Sequence, residues 1–508
     1  MSALSALRVC GLILLALTAA TCQPDRSFLV VTVSGLSPQV QALEVRAVLA
    51  DANQDAVERF EGIAGPSATV SMWLPPGAAG KLIVTATELA SSCSVGEGTT
   101  SSALTGQLKL DLEVALQLAS PVECEVTIEP SGDGTGLVTV EPPAAGAPLS
   151  CGDRCTFRAP VGSTVTLHAQ VKAPSYLSRW SGPCTTVSPG GMLCRLQVAS
   201  GSNRVGVEFI GRSCTPGVFC GESPIAKAPA HKISYTSVWG ASSQDLWVVD
   251  TYGIILHRLN GWWSEEVPIS TEITVGEVHG TSNTDVWVVA NDYSTTKGMG
   301  MHWNGQAWNT MDLPTDAQIA TMWGLSPTQY FVAPRDGYML SWDGASWRRG
   351  VSNQPKVDIA GIWGTGGVNI WLVGTGLYQY NGSNNWIRDT AIDIANFRPS
   401  IWGVSPNDYW IVGEGNRSYH RVNGALKSAA LPEEVNNRYQ RIFGTTSSDV
   451  WAVSSAGSIV HFDGAAWSLV EKVPTIGLTG LAGLWLNSTD VYAVGDDGVL
   501  QHLTRPAP

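Results

Sequence analysis

One phrase recurs seven times between Tyr235 and the C-terminus: an aromatic residue and glycine, four spacers, Asp, one spacer, Trp, then a short apolar run. Aligned on Gly240, Gly280, Gly324, Gly364, Gly403, Gly444 and Trp485, the copies stand 39 to 44 residues apart. Five places on are Asp245, Asp285, Gln329, Asn369, Asp408, Asp449 and Asp490, and seven places on are Trp247, Trp287, Phe331, Trp371, Trp410, Trp451 and Tyr492. A period near 40 residues built of short β-like runs points to a β-propeller with one four-stranded blade per repeat. Seven repeats predict seven blades.

Within a repeat the first strand ends at the aromatic-Gly pair and a tight loop carrying Ser and Asp follows. The second strand is Asp245 to Val249 and its relatives. The third is Gly253 to His257, matched by Gly457 to His461 and Gly498 to His502. Asn260-Gly261, Asn304-Gly305, Asp343-Gly344 and Asp463-Gly464 mark the hairpin into the fourth strand, because these pairs favour left-handed backbone geometry. A further Trp precedes the aromatic-Gly pair by 15 to 17 residues, at Trp263, Trp308, Trp347, Trp386 and Trp467. The last repeat stops soon after His502 and lacks this outer strand. Counting back from Trp239 lands near Val218 to Cys220, so residues 216–222 are expected to supply it and close the ring, with Cys214–Cys220 pinning the strand.

These repeats resemble the Trp-rich, BNR-like repeats of bacterial exported propellers, a resemblance that implies a fold strongly and an activity weakly. Residues 22–118 alternate apolar and polar at Val70, Met72 and Leu74, at Leu82, Val84 and Ala86, and at Leu108, Leu110, Leu112 and Val114. This is the pattern of half-buried antiparallel strands, and an immunoglobulin- or fibronectin-like sandwich is expected. Residues 119–212 carry, in order, a strand from Gly136, Cys151-Gly-Asp-Arg-Cys155, Val161 to Ala169, Trp180-Ser-Gly-Pro-Cys184, Cys194, and Val205 to Phe209. That order resembles the divergent InlB B-repeat family of bacterial surface proteins, which implies a small β module serving as a spacer or adhesive unit. Arg179 stands where the family has an aromatic before the Trp.

The first 21 residues read as an export signal, with Arg8, an apolar stretch Val9 to Leu17, and small residues to Thr21. Ala19-Ala20-Thr21-Cys22 resembles a bacterial lipobox, which implies a diacylated Cys22; Gln23 after it implies the outer membrane. The alternative is a plain secretory signal. Of ten Cys, eight lie between Cys93 and Cys220 and none in the repeats. Zinc ligation competes at Cys151–Cys155, but an exported chain favours disulfides. Nearest-neighbour pairing gives Cys93–Cys124, Cys151–Cys155, Cys184–Cys194 and Cys214–Cys220, one of 105 possibilities. A net charge of −13 with 30 scattered Lys and Arg argues against a nucleic-acid partner.

The recurring Trp could form a sugar-binding array, but a residue present in every blade is better explained by packing between blades. The recurring Asp is expected to accept backbone N–H bonds in its tight loop rather than bind metal or substrate. His257, His302, His420, His461 and His502 are read as strand residues too far apart for a metal ring. No sialidase Asp-box, Gly-x-Ser-x-Gly, His-Glu-x-x-His, phosphate loop or dinucleotide fingerprint is present. Specificity is therefore expected where the repeat breaks, in the loops between second and third strands: Asp250 to Tyr252, Asn291 to Gly300, Arg335 to Tyr338 and Glu414 to Arg417. Tyr252, Asp292, Tyr293, Asp336, Tyr338 and Arg417 are the candidate ligand-binding residues there. The expectation is an all-β chain: signal 1–21, sandwich 22–118, disulfide-stapled module 119–212, and propeller 213–508. Its function would be that of an envelope-anchored binding or scaffold protein with an envelope protein or a glycan as partner and no metal or cofactor. The alternative is an exported glycan-active hydrolase or lyase.

Overall fold

A computed structural model describes residues 27–505 apart from 38–39, 51–53, 64, 76–77, 91–92, 106–108, 142–149, 226–231, 267–272, 293–296, 336, 351–357, 382–385, 393, 395–398, 433–437 and 475–479. Cys22 and the signal lie outside this set, as do Tyr293 and Asp336. The described residues are all-β, and no helix among them is long and apolar enough to cross a membrane. The chain divides into two compact units. One holds the residues up to Val126 with Phe157–Ser163 and Val198–Asn203; the other holds Thr127–Thr156, Thr164–Gln197 and Arg204–Pro508.

In the first unit Phe28–Ser34 lies between Ser67–Trp73, antiparallel, and Lys109–Ala115, parallel. A second sheet sets Ala42–Leu49 between Gln54–Glu61 and Gly80–Ala90, with Cys93–Leu104 beyond. Alternation puts Leu29, Val31 and Val33 of the first sheet and Val45, Ala47, Leu82 and Val84 of the second into one core. Val70 and Met72 join them, as their period-2 spacing requires.

The second unit contains the propeller. Six separate four-stranded antiparallel sheets follow one another, each in simple sequence order except the last. A further four strands, Tyr235–Ser242, Asp245–Asp250, Ile255–Leu259 and Trp262–Glu266, form the first blade. The first strands pack against one another from blade to blade, and Leu481–Leu486 of the last packs against Tyr235–Ser242 of the first. The ring is closed by an N-terminal strand. Cys220–Gly221 pairs with Leu500–Thr504, Cys220 opposite His502, in the place of the missing outer strand.

The glycine of the aromatic-Gly pair has a steric cause. A Cβ on Gly280 would meet the Trp239 ring of the preceding blade at 2.6 Å, and one on Gly444 would meet Trp402 at 2.6 Å. Trp485 lies likewise against Gly240 of blade one, whereas a Cβ on Gly364 or Gly403 would first meet that blade's own second strand. The seventh repeat differs from the alignment made on sequence. Trp485 pairs with Tyr492 as Trp239 pairs with Trp247, so it fills the aromatic place and not the glycine place. The register irregularity that follows Gly240 has no counterpart there, because the turn is one residue shorter.

The blade-one sheet continues past its outer strand. Thr164–Lys172 pairs antiparallel with Trp262–Glu266, Val171 opposite Trp263, and carries Gly136–Glu141 and Leu193–Gln197 on its other side. Glu265, 4% exposed, accepts hydrogen bonds from Ser188 Oγ at 2.6 Å, Gly190 N at 3.0 Å and Met192 N at 2.9 Å. This continuity between the 127–197 strands and the propeller was not read from the sequence. Disulfides join Cys93–Cys124, Cys151–Cys155, Cys184–Cys194 and Cys214–Cys220, the nearest-neighbour pairs.

Candidate functional site

The recurring polar residues are consumed inside the blades. In blade one, His257 Nε2 meets Asp245 Oδ1 at 2.9 Å, and the imidazole stacks on Trp247 at 3.8 Å between centroids. The same arrangement repeats as Asp285–His302 on Trp287, Asp408–His420 on Trp410, Asp449–His461 on Trp451, and Asp490–His502 on Tyr492. The cause is register: the aromatic of the second strand sits directly opposite the His of the third, and Asp lies two residues before that aromatic on the same face. The carboxylate is held by side chains and not by the loop backbone N–H groups expected of it: besides the imidazole, Thr281, Thr445 and Thr489 hydroxyls donate to Asp285, Asp449 and Asp490. Blades three and four lack both members: Gln329 goes with Ser341 opposite Phe331, and Asn369 with Gln379 opposite Trp371.

These pairs shift protonation. Burial disfavours charge on His257 and His502, yet hydrogen bonds to Asp245 and Glu266, and to Asp490 and Glu222, outweigh it and raise both pKa values. Burial likewise opposes charge on Asp285 and Asp490, and hydrogen bonds from His302 and His502 outweigh it and lower both.

The recurring outer-strand Trp residues pack between blades. Trp308 meets Trp247 of the preceding blade edge to face at 5.3 Å, Trp347 meets Trp287 at 5.3 Å, and Trp467 meets Trp410 at 5.5 Å. Among the described residues no group of three or more His, Cys, Asp or Glu is placed to hold a metal ion.

What the repeat does not consume lies in two places. One is the set of loops between second and third strands, which emerge on one face because strand direction alternates within a blade. Tyr252 is 41% exposed there. Asp292 ends the second strand of blade two, with its N–H donating to Lys297 O at 3.0 Å. Tyr338 is half-buried under the Arg349 guanidinium, 4.4 Å from its ring centroid. Arg417 is exposed at the start of its strand in blade five.

The other place is the axial channel, which sequence reading missed. Two levels of side chains line it. Trp239, His279, Trp323, Trp363, Trp402, Phe443 and Trp485 hold equivalent positions in the seven first strands, one blade to the next. Two residues earlier in each strand stand Ser237, Glu277, Thr321, Gly361, Ser400, Arg441 and Gly483. The second level is small and uncharged except in blades two and six. There Glu277 Oε1 and Arg441 Nη2 meet at 2.8 Å across the channel, while Glu277 Oε2 accepts from Met322 N at 2.7 Å. His279 is the single imidazole in a level otherwise of Trp and Phe. Burial and the neighbouring Arg441 push its pKa down to about 4, so the ring is neutral. Its Nδ1 is buried without a hydrogen-bond partner. The signal was present in the sequence as a His where six other repeats carry Trp or Phe, and as an acid and a base where five carry Ser, Thr or Gly.

No family model matches the chain, and no curated protein does. Solved propeller structures are similar at low identity. YCF48 bound to a D1 peptide is 12% identical with a TM-score of 0.46, covering 58% of this chain and 99% of that one. Virginiamycin B lyase from Staphylococcus aureus is 14% identical with a TM-score of 0.46, covering 55% and 97%. The extracellular domain of the putative hybrid two component system BT4673 from B. thetaiotaomicron is 11% identical with a TM-score of 0.45, covering 57% and 40%. At these scores the likenesses carry no functional argument.

Proposed function

We propose that this chain is an exported binding or scaffold protein, held at a membrane through a lipidated Cys22, whose propeller presents the loops between second and third strands to an envelope protein or glycan. Four disulfides fit an oxidising, extracytoplasmic compartment. The observation that carries the binding reading is the fate of the recurring acids and bases. Each Asp–His pair is spent on holding a second strand to a third, so the residues that could have done acid–base chemistry in five blades are structural. Glycoside hydrolysis ordinarily needs two carboxylates about 5–9.5 Å apart. Among the described residues lining the axial channel there is one carboxylate, Glu277, and it is tied to Arg441 and Met322. Tyr252, Asp292, Tyr338 and Arg417 supply aromatic, acidic and basic groups of the kind that recognise polar partners.

Two measurements test this. Envelope extracts passed over the full chain should yield a partner retained by wild type and lost by the Tyr338→Ala, Arg417→Ala double variant. Retention by both would remove the loop face from the reading. Fractionation of cells making wild type or Cys22→Ala should move the protein from membrane to soluble fractions; a soluble wild type ends the anchored version.

A further inference from the structure

The fold does not demand the polar groups found in the axial channel. Phe443 occupies the place of His279 in another blade, and Ser237 and Ser400 occupy the place of Glu277 and Arg441. Departures from a repeat that cost stability and serve no packing need are where function collects. The buried Nδ1 of His279 lacks a hydrogen-bond partner, a penalty that a Phe in the same place would not carry. A buried ion pair seldom adds stability over an apolar filling of the same space.

We propose that this channel is a binding site for a neutral, hydroxyl-bearing ligand the size of one sugar ring. The charges of Glu277 and Arg441 cancel, so a charged ligand would lose its hydration without gaining a counter-ion. A neutral imidazole presents one donor and one acceptor, and a hydroxyl satisfies either. Arg441 meets Glu277 through one nitrogen and its side chain is 24% exposed, which leaves further N–H donors of its five for a ligand oxygen. The aromatic level beside them offers ring surface to the C–H face of such a ligand. The cavity at this level holds about 60 Å³. Since one water needs roughly 10–15 Å³ of such space, several water-sized groups fit. The site lies on the axis and is separate from the loop face, so it stands or falls independently of that reading.

Isothermal titration of the full chain with glucose, galactose, N-acetylglucosamine, glucuronate and glucosamine tests it, with tryptophan fluorescence as a second signal. Saturable binding of a neutral sugar is expected, at least about tenfold weaker in His279→Phe, the equivalent of one buried hydrogen bond. The Glu277→Ser, Arg441→Ser double variant, built on residues the same level already carries, should weaken it similarly and serves if His279→Phe does not fold. Ile387→Ser, at an exposed side chain on the outer strand of blade four, should leave it unchanged. No saturable signal with any neutral sugar would mean that water alone fills the channel and would overturn the proposal. Equal or tighter binding of glucuronate or glucosamine, or neutral-sugar binding indifferent to both channel variants, would overturn it as well.

Discussion

Phe219 meets Trp451 edge to face, ring centroids 6.4 Å apart and planes at 75°, although the two are separated by almost the whole propeller. In other blades that contact to the second-strand Trp comes from the outer-strand Trp of the following blade, as Trp467 makes it to Trp410. The closing segment therefore imitates an outer strand in side chain as well as backbone. It is latched chemically too. Glu222 pairs with Arg258 of blade one at 2.8 Å and with His502 of blade seven at 2.7 Å, and both glutamate contacts are nearly sealed from solvent. Burial works against the charge on Glu222, but His502 and Arg258 outweigh it and hold its pKa below the usual carboxylate range.

The Cys214–Cys220 bridge closes a short loop onto this segment. Chain-entropy arithmetic for so small a loop gives about 2 kcal/mol. Cys214→Ser with Cys220→Ser should therefore lower the urea midpoint by an amount equivalent to about 2 kcal/mol and open the segment to proteolysis near Val218. An unchanged midpoint and cleavage pattern would show that Glu222 and Phe219 hold the closure unaided.

The Asp–His pairs predict a non-additive pattern. Asp245→Asn should cost about 1–3 kcal/mol, because His257 loses its charged acceptor in a buried setting. Adding His257→Gln recreates the Asn369 and Gln379 combination of blade four, so the double variant should be more stable than the sum of the singles implies. Additive losses in urea unfolding would mean that the two side chains contribute separately.

Much of this architecture was legible because repetition exposes constraints. The strand order of a blade, the Asn260-Gly261 hairpin with φ of 52° and 83°, and ring closure near Cys220 all follow from spacing and turn chemistry. The covariation of Asp with His was also legible: Gln329 and Asn369 mark the two blades without the imidazole. It went unread because the residues lie 12 to 17 places apart and meet only through strand register. The channel was harder to see. Glu277 and Arg441 lie far apart in sequence and face each other only because blades two and six meet across the axis. The pairing of Val171 with Trp263 was invisible for a different reason, since an edge strand's partner is set by tertiary packing and not by its own alternation.

A glycine pair isolates the packing rule. Gly280→Ala should destabilise by about 1–3 kcal/mol, because its Cβ would lie 2.6 Å from the Trp239 ring and 2.8 Å from Asp285 O. Gly366→Ala, where a Cβ meets nothing within 4 Å, is the control and should change stability by less than about 0.5 kcal/mol. Similar effects at both positions in thermal unfolding would remove the neighbouring Trp as the reason for the aromatic-Gly motif.

Stability should peak near the ordinary histidine pKa, for reasons of opposite sign. His257 and His502 have pKa values raised above the ordinary 6.5, so their contribution is complete below that pH and is lost as pH rises through the folded-state values. Asp285, Asp449 and Asp490 have pKa values lowered below the ordinary 3.8, so their contribution is complete above that pH and is lost as pH falls through the folded-state values. His279 acts in the other direction: its folded-state pKa of about 4 lies below the ordinary 6.5, so stability is also lost as pH falls from about 6.5 towards 4. Urea midpoints measured across pH should therefore be highest near about 6.5, decline as pH drops towards about 4, and fall further below about 4 and above about 6.5. His502→Gln should flatten the alkaline limb and leave most of the acid limb, since Asp285 and Asp449 keep His302 and His461 as partners. An alkaline limb as steep in His502→Gln as in wild type would show that this imidazole is not protonated in the folded protein and that its bridge between Asp490 and Glu222 is made by a neutral ring.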